Sequence, residues 1–425
     1  MTDNITALTA RDLSRLYRQR ELSPTEVARS VLARIEQARH LNAFVASSPE
    51  QVLASAAASS ERWRAGAPLS QLDGVPVSVK DLLPQRGLPT RRGSKTVSPD
   101  GPWLEDAPAV ARLREAGALL LGKTATSEFG LKGLGDSPVA GITRNPWQLE
   151  HTPGGSSAGA VAAVAAGLGP LAVGTDGGGS IRVPSAFSGV VGFKPTFGVV
   201  PNQSPHFIGV PPHVGPIAHD VQDLIALFDV LRLPDARDPF SARASMAPPD
   251  TLQQLRQLKI AATKTLGFAR ISSDVERAFD AALASLRELG LNVIDTPLDW
   301  PPAAPTIRTL FQARAAHTVQ PLSAQQRELL DPAILASARR GEAFSALDYL
   351  RAEAERVQLV ERSAAFHTNY DLLLTPTIAD VAPRIDAVDA LGELSQRAPF
   401  AGLFSLTRQP ALSIPIAISS EGLPL

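Results

Sequence analysis

Apolar positions along the chain fall by turns into runs with helical spacing and short continuous runs, and this alternation predicts the elements. Ser23-Pro24-Thr25-Glu26 is a capping-box pattern with proline at the first helical position, and Val27, Val31, Leu32 and Ile35 follow at helical spacing, so the N-terminal part is helical. Val75 to Val79 reads as a short apolar strand that brings Lys80 and Asp81 to its end. A helix over Pro108 to Gly117 precedes a strand at Ala118 to Leu121, and a small-residue helix around 157–168 precedes a strand at Leu171 to Val173. The alternation continues with a helix near Val221 to Leu231, a strand at Leu258 to Ala262, a helix at Ser273 to Leu289, and strands near Leu291 to Ile294 and at Leu372 to Leu374. Strands alternating with helices predict an α/β chain, a layered sheet covered by helices. Leu233 to Asp250 and Trp300 to Pro305, rich in Pro and Asp, read as surface loops. The alternation runs on past both with the same composition, which favours one domain over residues 1–425. No internal repeat or low-complexity tract interrupts it.

Composition narrows the classes of partner. The chain has 425 residues, 44% of them hydrophobic, enough for a large buried core. Its 41 Lys and Arg against 42 Asp and Glu leave a net charge of −1, which gives no electrostatic case for nucleic acid or an anionic membrane surface and favours a small, roughly neutral partner. The longest small-apolar stretch, Ala158 to Leu168, falls short of the roughly 18 residues a membrane span needs. The charged, amphipathic start lacks an apolar signal core, so a cytoplasmic location is expected. With no cysteine, disulfides, thiolate metal sites and cysteine nucleophiles are excluded. The seven histidines are scattered without H-x-x-x-H or H-E-x-x-H spacing, so neither a metal nor another cofactor is expected.

Glycine is concentrated in Thr152-Pro153-Gly154-Gly155-Ser156-Ser157-Ala158-Gly159 and in Gly174-Thr175-Asp176-Gly177-Gly178-Gly179-Ser180. Each sets serine beside backbone that a ligand can approach closely, because glycine has no Cβ in the way. Each also fits a pair of tight turns. A phosphate cradle fails on pattern, since neither segment is G-x-G-x-x-G or a P-loop with its lysine. Gly155-Ser156-Ser157-Ala158-Gly159 formally matches the G-x-S-x-G nucleophile elbow of α/β-hydrolases, an esterase reading with Ser157 as nucleophile. That elbow needs a strand directly before it, and Asn145 to Pro153, with two prolines and a polar run, does not make a core strand.

Together, Gly74 to Asp81, Thr143 to Trp147, Pro153 to Ser157, Gly174 to Arg182 and Gly192 to Thr196 resemble, in order, the signature blocks of the amidase signature family. Weaker resemblance extends through Val214 to Ile217, Asp371 to Thr377 and Ser419 to Pro424. The resemblance implies a mixed, largely parallel twisted sheet with helices on both faces. It implies a triad of Ser180 as nucleophile, Ser156 entered through a cis peptide bond as relay, and Lys80 as base, cleaving a small-molecule amide or a related carbamate or ester. Ser157 becomes a supporting residue. Gly130 aligns with a position whose backbone approaches the substrate carbonyl. The N–H groups of Gly177, Gly178, Gly179 and Ser180 fit an oxyanion hole, and Asp176 with Arg182 fits a supporting ion pair. Lys80 can take a proton at neutral pH only if its environment favours the amine; about 3 pKa units correspond to roughly 4 kcal/mol. Desolvation behind the apolar strand is the expected source.

The main alternative is the glutaminase subunit of a tRNA-dependent amidotransferase, which hands ammonia to a partner; Gly177 stands where that subfamily usually carries a larger residue. A catalytically inert binding relative is a further alternative, and a homodimer stays open. Two departures stand out: Ala158 where the family often has glycine, and an end at Leu425 where members usually continue into another strand and a helix. Selectivity is expected in the loops Asn202 to Val214 and Asp389 to Phe404.

Overall fold

A computed structural model describes residues 5–202, 212–242, 251–387 and 397–425. Thr9 caps α1 (Ala10–Gln19), and Ser23 closes the expected capping box at the start of α2 (Pro24–Gln37), its hydroxyl taking the Glu26 N–H while the Glu26 carboxylate takes the Ser23 N–H. β1 (Phe44–Ala46), α3 (Pro49–Arg64), β2 (Pro76–Lys80), α4 (Pro108–Glu115) and β3 (Leu119–Thr124) follow. After the small hairpin β4 (Asp136–Ser137) and β5 (Gly141–Ile142) come α5 (Ala158–Ala165), β6 (Leu171–Asp176), α6 (Arg182–Ser188), β7 (Val191–Lys194), β8 (His213–Ala218) and α7 (Val221–Leu231). The later part holds β9 (Lys259–Ala262), α8 (Ser273–Glu288), β10 (Asn292–Asp295), α9 (Ala304–Val319), α10 (Pro332–Glu342), α11 (Ala346–Phe366), β11 (Leu372–Leu374), α12 (Ala401–Leu406) and β12 (Ala411–Ser413).

Seven strands form one sheet in the order β1-β3-β2-β6-β8-β7-β12. It is mixed, as expected: β2 lies parallel to both β3 and β6, while the outer pairings are antiparallel. A second sheet, β10-β9-β11, is parallel throughout. Helices cover both faces of the large sheet, and strand alternation decides what each face receives. Val77 and Val79 of β2 and Leu171 and Val173 of β6 join one core with α1 to α4 and α7. Ala172 and Ile217 face the opposite core, with α5 and the start of α6. By the same parity Ser78 and Lys80 point to the α5 side, where the two serines of the first glycine block lie.

Several segments differ from expectation. β3 and β6 run three residues past their predicted ends, to Thr124 and Asp176. β1, β7, β8 and β12 have no counterpart among the predicted strands; Gly192, Gly215 and Pro216 interrupt the apolar run by which a strand is recognised. Trp300 to Pro305 is a surface loop only in part, with Pro301 and Pro302 exposed. Trp300 is buried, its ring edge-on to Phe366 at 5.7 Å, and α9 begins at Ala304. Residues 203–211, 243–250 and 388–396, which carry most of the two loops expected to set selectivity and part of the Pro- and Asp-rich stretch before Thr251, lie outside the described residues. No helix among the described residues is long and apolar enough to cross a membrane.

Candidate active site

Lys80 ends β2 fully buried, and its Nζ meets four oxygens: Ser156 Oγ at 2.8 Å, Ser157 Oγ at 2.9 Å, Thr175 Oγ1 at 3.0 Å and Thr175 O at 3.2 Å. No carboxylate among the described residues bonds to it. Asp81, one residue on, points away and is held by the N–H groups of Arg91 and Gly93, each at 3.2 Å, with Lys123 Nζ 3.7 Å away. Burial pushes the Lys80 ammonium well below its ordinary value, against the opposing pull of the Asp176 carboxylate. The hydrogens of this network follow from its geometry. The Ser157 hydroxyl donates to Thr175 O at 3.2 Å, so it accepts from Lys80. A neutral amine has two N–H donors and one lone pair. Were the amine neutral with Ser157 and Thr175 taking its two donors, its lone pair would be left for the Ser156 hydroxyl.

The two serines reach Lys80 from the turn before α5, and the Gly155–Ser156 peptide bond is cis. Gly130 lies against this turn with φ +69°; a Cβ there would sit 2.7 Å from Leu82 Cδ1 and 3.4 Å from Ser156 Oγ, so only glycine leaves the approach open. Its N–H is committed to Ser127 O at 2.9 Å. Ser180, partly exposed, is drawn to the pair through its carbonyl, which accepts the Ser157 N–H at 3.2 Å. One expected oxyanion donor is lost. Gly179 N–H donates to Asp176 Oδ1 at 2.7 Å and cannot also serve a substrate oxygen. Gly178 faces the ring of Phe311, 3.4 Å from where a Cβ would stand.

Asp176 and Arg182 pair as expected, both buried and bidentate, with Nε to Oδ2 at 2.9 Å and Nη2 to Oδ1 at 3.0 Å. Burial alone would raise the carboxyl, but the guanidinium holds it below the usual carboxylate range. Ser405 of α12 completes the frame, accepting from Arg182 Nη2 at 2.8 Å and donating to Asp176 Oδ1 at 3.2 Å. His213 Nδ1 meets Asp176 O at 3.0 Å, and burial together with the nearby Lys194 cation pushes its pKa down to about 3. It is therefore neutral at ordinary pH and turned toward backbone. Ser157 lacks the strand an elbow requires: only an isolated bridge at His151 lies in the segment before it. Among the described residues no group of three or more His, Asp or Glu could hold a metal ion.

Residues 26–425 match the family described as Amidase. The chain belongs to the amidase signature family. It is similar to an acylamidase of Rhodococcus erythropolis, 34% identical over 436 residues that span 99% of this chain and 91% of that protein. It is also similar to a glutamyl-tRNA(Gln) amidotransferase subunit of Cupriavidus necator, 32% identical over 477 residues covering 100% of this chain and 92% of the relative. The crystal structure of a bacterial aryl acylamidase of the amidase signature family superposes with a TM-score of 0.90 at 28% identity, over 98% of this chain and 91% of the other. Against this family background, sequence reasoning missed Thr175, Ser405 and Phe311. Thr175 stands inside the block that ends at Ser180, so its position was in view. Ser405 and Phe311 reach the site from helices far along the chain and carry no local signal.

Proposed function

We propose that the chain hydrolyses a small-molecule amide through an acyl-enzyme on Ser180. The observation that carries this reading is a fully buried Lys80 amine, 2.8 Å from the Ser156 hydroxyl and without a bonded carboxylate among the described residues. Ser180 Oγ attacks the amide carbonyl while its proton passes to Ser156 Oγ, whose own proton moves to the Lys80 lone pair. The carbonyl oxygen takes up negative charge facing the N–H groups of Gly177, Gly178 and Ser180. As the C–N bond breaks, the Lys80 proton returns through Ser156 to the leaving nitrogen. Water then repeats the sequence on the acyl-enzyme, giving the acid and restoring Ser180. Asp176, Arg182 and Ser405 hold the loop in place and exchange no proton. The same acyl-enzyme chemistry extends to carbamates and esters, whose carbonyl carbon is attacked in the same way.

The test measures aryl-amide turnover in Ser180→Ala, Ser156→Ala and Lys80→Ala. Each is expected to lose more than about a thousandfold in kcat/KM, with losses that do not add in the double variants because the groups act as a unit. Wild-type turnover in Ser180→Ala would sink the assignment. The amidotransferase reading is favoured by the full-length similarity to the Cupriavidus necator relative. Glutaminase activity that rises when the other chains of such a complex are added would support it; aryl-amide turnover by the isolated chain supports the amidase.

A further inference from the structure

The turn that brings Gly130 to Ser156 has an unfavourable backbone. Phe129 (φ +54°) and Gly130 (φ +69°) both lie in the left-handed region, and an aromatic residue stays there only where its surroundings impose it. Nearby segments supply part of that constraint: Phe129 N–H donates to Arg92 O at 2.8 Å, and Ser127 Oγ donates to Lys132 O at 2.7 Å. A further bond comes from far along the chain. Glu128, fully buried at the start of the turn, takes the N–H of Asp331 on its carboxylate at 2.7 Å. Asp331 is the N-cap of α10; its Oδ1 takes the Ala333 N–H at 2.8 Å, and its Oδ2 takes Lys132 Nζ. One residue at the head of α10 thus grips the chain on both sides of Gly130, at 128 and at 132.

α10 is in turn fixed against α9. A Cβ on Gly341 would stand 1.9 Å from Gln312 O, so no side chain fits between the two helices there. Leu131, directly after Gly130, is buried with Ala315 and Val319 of α9 and with Ile334 and Ala338 of α10. α9 also carries Phe311, whose ring meets Gly178 of the loop that leads to Ser180. The α9–α10 pair therefore reaches the site at two points, through Phe311 at that loop and through the Asp331 N–H at the turn beside Ser156.

We propose that Glu128 is a positioning residue for the reaction: its carboxylate ties the Gly130 turn to α10, and so sets where that turn stands relative to Ser156 and the Ser180 loop. It acts through Gly130. The effect on turnover rests on the amidase reading, but the tie itself does not. Without the acceptor the Asp331 N–H is buried and unpaired, the turn relaxes from its left-handed form, and a displacement of about 1 Å at a reacting centre costs about a hundredfold.

The test compares Glu128→Met, which keeps the bulk and removes the acceptor, with Glu128→Gln, which keeps an oxygen for the Asp331 N–H. In aryl-amide kinetics on the full chain, Glu128→Met is expected to lower kcat about tenfold to a hundredfold with KM changed less, and Glu128→Gln to restore most of it. Hydrogen exchange read by mass spectrometry should show residues 127–134 exchanging faster in Glu128→Met than in the wild type or Glu128→Gln. Urea melts separate lost positioning from lost folding. Wild-type kcat in a folded Glu128→Met, equal losses in both variants, or unchanged exchange of 127–134 in Glu128→Met overturns the proposal. If Glu128→Met does not fold, exchange of the wild type in rising urea decides: residues 127–134 and 331–335 should open together, and opening of one before the other overturns the tie. If the wild type turns over no amide and Ser180 fails to react with a fluorophosphonate, the amidase reading falls, while the exchange measurement still decides the tie.

Discussion

At the scale of single residues, Lys80 carries the pH behaviour on the proposed mechanism. There it accepts a proton only as the neutral amine, and burial holds its folded pKa well below the ordinary value of 10.5. kcat/KM is therefore expected to fall as pH drops through that depressed pKa and to be level above it. Over the window between the folded pKa and 10.5 the unfolded chain binds a proton that the folded chain does not, so Lys80 makes stability rise with pH there. A kcat/KM profile with urea titrations at several pH values checks both, and Lys80→Met should remove that part of the stability slope along with turnover. A limb of kcat/KM that falls with rising pH in this window would contradict the role. Lys80, Ser156 and Ser180 stood out in the sequence as candidates because each stands in a dense block of glycine and apolar residues. Ser157 was ambiguous in sequence because G-x-S-x-G can be matched without the strand that gives it meaning. The loss of the Gly179 N–H to Asp176 was not legible, since three adjacent glycines offer no local cue to which amide is taken.

At the scale of elements, β2 and β6 do most of the positioning. Their parallel pairing brings Lys80 and Thr175 to neighbouring strand ends, and their alternation turns Lys80 toward α5. β6 could be read from the run Leu171 to Val173 and β2 from Val75, Val77 and Val79 alternating before Lys80, whereas β7 and β8 could not, because Gly192, Gly215 and Pro216 interrupt theirs. The turn after β6 depends on the pair it encloses. Removing the cation while the carboxylate stays buried leaves an uncompensated charge, so Arg182→Met is expected to cost about 3–5 kcal/mol in urea unfolding. Arg182→Lys, which keeps charge but loses the bidentate fork, should cost less. A change below about 1 kcal/mol in Arg182→Met would mean that solvent reaches Asp176 in a way its burial does not suggest.

At the scale of the whole molecule, we propose that the chain unfolds as one domain. The frame around Asp176 draws on β6 and α6 of the first part and on α12 of the last, so neither part finishes the site alone. Scanning calorimetry should then give one transition with equal calorimetric and van't Hoff enthalpies, and two separable transitions would overturn the proposal. This long-range assembly was the least legible level, because a sequence displays neighbours and Ser405 is joined to Arg182 across 223 positions. The same bond has a consequence during synthesis. A ribosome has already released the Lys80 strand, both serine turns and the Asp176 pair long before residue 405 emerges, yet the support under the Ser180 loop is still missing. On the proposed mechanism, hydrolytic competence is then expected only at the late stage of translation, and an interrupted chain would carry Lys80, Ser156 and Ser180 without the brace that Ser405 gives.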